Sequence, residues 1–191
     1  MENIVEKLIN KLDKEGFISD DRIIYKYGLM LMINEGITFS LVLLLSIFIH
    51  RIVFGFLYII CFSYLREYIG GYHASTYGKC RCTYLFLYFM NILVLNFHYK
   101  YLYFIFFLIC IPILLWIAPV DVPAKILSFS EKEFYKKIAL KRICIYFLLI
   151  ISFTFFNIEL SELLCTVFIT VTILTIIQLF INKSKGGEKN E

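Results

Sequence analysis

Charge is scarce in this chain, and that scarcity decides its class. Only 18% of the 191 residues are Asp, Glu, Lys or Arg, against 60% hydrophobic and 18% aromatic, an apolar share far above that of a soluble domain of this length. Proline occurs three times and tryptophan once, so long apolar runs go almost uninterrupted. No Gly-rich phosphate loop and no nucleic-acid-binding pattern is present, so no nucleic-acid partner is expected. The aromatic residues form no periodic cage, so no cofactor is expected. No small-residue cleavage pattern follows the first apolar stretch, and the N-terminus is therefore expected to be retained.

The composition belongs in lipid. The fold class expected is all-α: a polytopic membrane protein with six transmembrane helices and an N-terminal amphipathic interfacial helix. Within residues 2–13, Ile4, Val5, Leu8, Ile9 and Leu12 fall on one helical face and Glu6, Lys7, Asn10 and Lys11 on the other, the pattern of a helix lying on a membrane surface. Ser19 and Asp20 give a second helix start before Ile23 and Ile24. The spans are read at 28–49, 52–65, 83–97, 101–118, 143–157 and 163–181. Several fall short of the roughly 20 residues a spanning helix needs, so the second and third should extend into the segment between them, or the membrane should thin there. The domain reading is a single membrane domain over 1–182, with 1–27 a cytoplasmic amphipathic segment, 66–82 a cytoplasmic reactive segment and 183–191 a polar cytoplasmic tail. Short spans gain from association, which is compatible with a homodimer.

Orientation follows from the basic residues. Of the 19 lysines and arginines, all but Arg51 and Lys100 fall in the N-terminal segment, in 66–82, in 119–142 or in the tail. Basic connections stay in the cytoplasm. Both termini and the 66–82 segment are therefore expected on the cytoplasmic side of a multi-pass protein in a bacterial cell membrane.

Of the six cysteines, Cys61, Cys110, Cys144 and Cys165 sit in apolar runs, where a free cysteine behaves as a small hydrophobe. Cys80 and Cys82 differ. They end the one dense cluster of reactive side chains, Arg66-Glu67-Tyr68-Ile69-Gly70-Gly71-Tyr72-His73-Ala74-Ser75-Thr76-Tyr77-Gly78-Lys79-Cys80-Arg81-Cys82. A thiolate attacks carbonyls, and a neighbouring imidazole can promote its formation and later protonate a leaving amine. His73 and Cys80 supply those parts. On an unbroken helix they would lie about 10.5 Å apart along the axis, too far to meet. Gly70, Gly71 and Gly78 permit turns that fold the histidine back, and Ser75 or Thr76 can cap a new helix. Cys80 would then stand in that helix's first turn, where the helix dipole, Lys79 and Arg81 favour a thiolate. The alternative is an ordinary solvated connection with His73 hydrogen-bonded to backbone. A metal site is the weaker reading: His73, Cys80 and Cys82 give at most three ligands, with Glu67 alone nearby as a fourth.

At these residues the chain resembles the accessory gene regulator B (AgrB) family. The resemblance rests on Arg66, on Gly70-Gly71-Tyr72-His73-Ala74, and on Cys80 seven residues after the histidine. Tyr27-Gly28 and Ala118-Pro119-Val120-Asp121 with a basic segment following look like further family features. Members of that family are membrane cysteine endopeptidases (thiol proteases, hydrolases) that process the precursor of a quorum-sensing peptide. The resemblance implies Cys80 as nucleophile, His73 as general base and acid, and Arg66 and Gly71 at positions important in the family. It implies an AgrD-type precursor with an amphipathic leader as partner, cleaved through a thioester and cyclised to a thiolactone or lactone.

Other polar residues remain open. Glu35 and Asn34 lie in the first apolar run, where an ionised side chain costs about 2.5–3.5 kcal/mol near the bilayer centre. Glu35 should face protein or water, and it is one candidate to orient His73; Ser75, Glu67, Asn91 and Gln178 are others. The basic segment 131–142 reads as contact with anionic lipids, or, by the resemblance, with an acidic part of the precursor. Pro112, Pro119 and Pro123 bracket the end of the fourth span as kinks or stops. A second function class is a small transporter or peptide exporter without peptidase activity, which would use Glu35 and Gln178 and need no nucleophile.

Overall fold

A computed structural model describes residues 2–16, 22–72, 74, 76–97, 99–121 and 127–187. Ser19, Asp20 and Pro123 lie outside them. Among the described residues there are seven helices and no strand: α1 (Glu2–Lys14), α2 (Arg22–Phe48), α3 (Ile52–Ile69), α4 (Tyr77–Leu95), α5 (Lys100–Ile117), α6 (Phe129–Phe156) and α7 (Ile158–Gly187).

Four of these, α2, α3, α6 and α7, are long and apolar enough to cross a membrane. The apolar stretch of α5 is shorter, Tyr101–Ile117, and α4 falls outside the four; its first turns carry Lys79 and Arg81. Such helices fit a multi-pass membrane protein. So does the outer surface, where Ile23, Phe48, Trp116, Phe155 and Phe156 are all more than 80% exposed. A water-soluble chain does not present large apolar side chains in such numbers.

The helices run past the sequence-derived boundaries. α3 continues to Ile69 and α4 begins at Tyr77, so both extend into the segment between them, leaving a short turn. α6 starts fourteen residues before the expected 143. The reason is a capping box: the Ser128 side chain accepts from the backbone N–H of Glu131 at 3.4 Å, and the Glu131 carboxylate accepts from the N–H of Ser128 at 2.9 Å. The basic segment is thus the first half of a continuous helix. Pro112 is inside α5.

α7 is the centre of the bundle, packing against α3, α4, α5 and α6. Polar groups hold the helices where side-chain packing alone is weakly specific. Asn91 donates to the Thr170 hydroxyl at 3.1 Å, and Tyr146 to the Leu164 carbonyl at 3.0 Å. Cys61, Cys110 and Cys165 are buried, whereas Cys144 is exposed on α6: it faces away from the bundle, so its expected packing role is not met within the chain. α2 lies on α3 and α4, and α1 on α2. Val5 and Ile9 are buried, while Glu6 and Asp13 bind Arg22 at 3.2 Å each.

Candidate active site

The site grows from the end of α3. Gly70 closes that helix at φ +84° and Gly71 follows at φ +140°, a backbone region that favours glycine. The reversal is tight at Gly70, where an added Cβ would sit 2.5 Å from the Val120 carbonyl oxygen. Gly71 has more room, with Leu174 Cβ at 3.6 Å as the nearest atom. Gly78, also expected to permit a turn, lies within the first turn of α4 with nothing close to it; among the described residues of this segment, the positive-φ positions are Gly70 and Gly71.

Three contacts fix the chain as it leaves α3. The backbone N–H of Val120 donates to the Ile69 carbonyl at 3.1 Å, and that of Tyr72 to the Leu174 carbonyl at 3.0 Å. The Arg66 guanidinium donates to the Tyr72 carbonyl. Five residues after Tyr72, at Tyr77, α4 begins. Thr76 is its N-cap, accepting the N–H of Lys79 at 3.3 Å, and the N–H of Cys80 makes an early helical bond to the Thr76 carbonyl at 3.0 Å. Cys80 thus stands in the first turn of α4.

Cys80 is half-buried and Cys82 exposed. A pocket lies beside Cys80, walled by Arg66, Tyr72, Ala74, Thr83, Tyr84 and Leu174 among others. The Arg66 Nε is buried and has no hydrogen-bond partner among the described residues. Its guanidinium lies over the Phe62 ring at 5.6 Å, and Cys80, Tyr84, Tyr58 and Glu35 are within its electrostatic reach. A buried cation beside a thiol can stabilise negative charge on sulfur or on a carbonyl oxygen under attack.

His73 and Ser75 lie outside the described residues. Their chain neighbours do not: Tyr72 and Ala74 both wall the Cys80 pocket.

Glu35 is exposed on α2. Its height follows from two contacts between α2 and α4, Phe39 with Tyr84 (6.2 Å between ring centres) and Ser46 with the Tyr88 hydroxyl (2.8 Å). Both numbers rise together, so the two helices run parallel. One turn back from Phe39 and Tyr84 are Glu35 and Cys80, at one level of the bundle. Glu67, Gln178 and Asn91, the other orienting candidates among the described residues, are engaged elsewhere. Glu67 pairs with Arg142 at 2.7 Å, and Gln178 donates to Asn182 at 2.8 Å. Asn91 bonds to Thr170 about 16 Å up α4 from Cys80.

Two basic residues of α6 also have protein partners. Lys132 pairs with Asp121 at 2.6 Å, and Arg142 lies over the rings of Tyr64 and Tyr68 at 4.4 and 4.1 Å; Lys136, Lys137 and Lys141 are exposed. Sequence reasoning did not find Val120, Leu174 or Tyr84 as parts of the site. Leu174 comes from α7 and Val120 from the α5–α6 connection, while Tyr84 stands one turn beyond Cys80 on α4; only the position of Val120 within 118–121 carried any signal.

A family model, Accessory gene regulator B, matches residues 2–183 of the chain. No curated protein and no solved structure matches it.

Proposed function

The chain belongs to the accessory gene regulator B family, and from that premise we propose that it is a membrane cysteine endopeptidase that processes and cyclises an AgrD-type autoinducing-peptide precursor. The observation that carries this reading is the pocket beside Cys80. Arg66 walls it, and so do Tyr72 and Ala74, the two residues that flank His73.

In this reading the Cys80 thiolate attacks the carbonyl at the C-terminal end of the signal region, forming a thioester. His73 gives a proton to the departing amine, and the C-terminal fragment leaves. A cysteine thiolate of the precursor then attacks the thioester, closing a thiolactone and returning Cys80 as the thiolate. One thioester replaces another at little change in free energy, so cyclisation has only to outrun water. A pocket at the membrane boundary favours that outcome. Arg66 steadies charge on the sulfur and the carbonyl oxygen. Glu35, level with Cys80, orients His73, and Gly71 serves the backbone turn.

The wider reading has six spans, with α4 and α5 crossing alongside the four longer helices, α1 lying on the membrane surface, and both termini in the cytoplasm. Anionic lipids meet the exposed lysines of α6.

Co-expression with the cognate precursor tests the reading through mass spectrometry of the precursor. Cys80→Ala and His73→Ala should abolish cleavage, Cys82→Ala should retain it, and Glu35→Gln should slow it. Cleavage by Cys80→Ala at the wild-type rate would remove the peptidase reading and leave an exporter in its place.

A further inference from the structure

Asp121 is not among the residues that wall the Cys80 pocket, yet it adjoins Val120, one of the anchors of the pocket's entry turn. Its carboxylate accepts the backbone N–H of Leu127 at 3.1 Å and binds Lys132 of α6 at 2.6 Å. Its carbonyl accepts from the side-chain amide of Asn182, on α7, at 2.8 Å. The adjacent residue is Val120, whose N–H is bonded to Ile69 and whose carbonyl oxygen lies against Gly70. Beyond Gly70 comes Tyr72, held by Leu174 and Arg66, and walling the pocket with Cys80.

We propose that Asp121, with Lys132 and Asn182, is a positioning residue for the reaction at Cys80: it fixes the start of the α5–α6 connection as a strap that holds the Ile69–Tyr72 turn in place. The proposal rests on the peptidase reading for its effect on catalysis and on the strap contacts alone for its effect on structure. An ion pair with both partners partly exposed contributes little to global stability. What it fixes here is a backbone position, and a displacement of about 1 Å in a reacting constellation can cost as much as a hundredfold in rate.

Two readouts on the full-length protein in lipid vesicles test this. The first is kcat and KM for a synthetic precursor. The second is the alkylation rate of Cys80 relative to Cys82 in the same molecule, with the exposed Cys82 as internal reference. In Asp121→Ala, kcat should fall about tenfold or more at nearly constant KM. The Cys80:Cys82 ratio should rise about threefold as the turn above Cys80 loosens. Asp121→Asn, which keeps the acceptor for Leu127 but loses the charge, and Lys132→Met should show smaller changes in the same direction with an unaltered unfolding temperature. An unchanged ratio in Asp121→Ala would overturn the strap. A changed ratio in a protein whose Cys80→Ala variant still cleaves would keep the strap and remove the peptidase reading.

Discussion

The backbone N–H of Tyr72 is bonded at 3.0 Å to the carbonyl of Leu174, a residue in the body of α7. A carbonyl inside a helix normally accepts from the N–H four residues on. Here it also accepts from the turn that precedes Cys80, so the central helix and the reactive segment meet backbone to backbone. Such contacts depend on where the chain runs, and substitutions that move the backbone are the sharpest probes of the site.

Gly70→Ala should destabilise the protein by about 1–3 kcal/mol, because the substituent adopts a positive φ and meets the Val120 carbonyl at 2.5 Å. Processing should be lost with it. Gly28, inside α2 with nothing within 4 Å, is the control: Gly28→Ala should be neutral or stabilising by up to about 1 kcal/mol. Thermal unfolding in one detergent compares the two, and equal losses would contradict the role given to Gly70.

Thr76→Ala removes the side-chain acceptor at the start of α4 and should cost about 1 kcal/mol locally, with Thr76→Ser near wild type. Hydrogen exchange at residues 77–80 reports it. The amides there should exchange faster in Thr76→Ala and hold in Thr76→Ser.

Arg142 joins α6 to α3 through the Tyr64 carbonyl, the Glu67 carboxylate and the rings of Tyr64 and Tyr68. Its side chain is only 15% exposed, whereas that of Glu67 is 59% exposed. The rings and the carbonyl should therefore outweigh the ion pair. Arg142→Lys, which cannot reproduce the planar stack, should cost about 1–2 kcal/mol, and Glu67→Gln less than about 0.5 kcal/mol. Denaturation of both variants settles the order.

Glu6 ties α1 to α2 through Lys26, whose hydrogen bond holds the Glu6 carboxyl below its ordinary pKa of 4.5. A lowered folded-state pKa stabilises above the ordinary value, and the contribution is lost as the pH falls through the lowered one. Amide protection over residues 2–14 should hold at neutral pH and weaken as the pH falls below the ordinary value of 4.5 and through the lowered one. Glu6→Gln should be less protected at neutral pH and show a flatter profile.

Much of the fold was legible from composition and period, because lipid-facing surfaces are written as long apolar runs. The helical boundaries were less so. The Ser128-Phe129-Ser130-Glu131 box that starts α6 is visible in the sequence, but the lysines after it drew the eye to a basic connection. Around Cys80, the glycine pair, the cap at Thr76 and the place of the thiol in the first turn followed from local chemistry. The anchors at Val120, Leu174 and Asp121 did not. The bonds of Val120 to Ile69, of Tyr72 to Leu174 and of Asn182 to Asp121 join segments about fifty or more residues apart, and no local pattern encodes which carbonyl a turn will meet.

The turn before Cys80 takes its outer anchors, Val120 and Leu174, from segments that are synthesised later. A nascent chain that has emerged only through α4 already carries Cys80 and its neighbours, but neither of these supports. The frame is completed when α7 takes its place at the centre of the bundle. Assembly order alone thus makes the thiol's surroundings a late product of biogenesis: a half-inserted chain carries the reactive residues without the frame that aligns them.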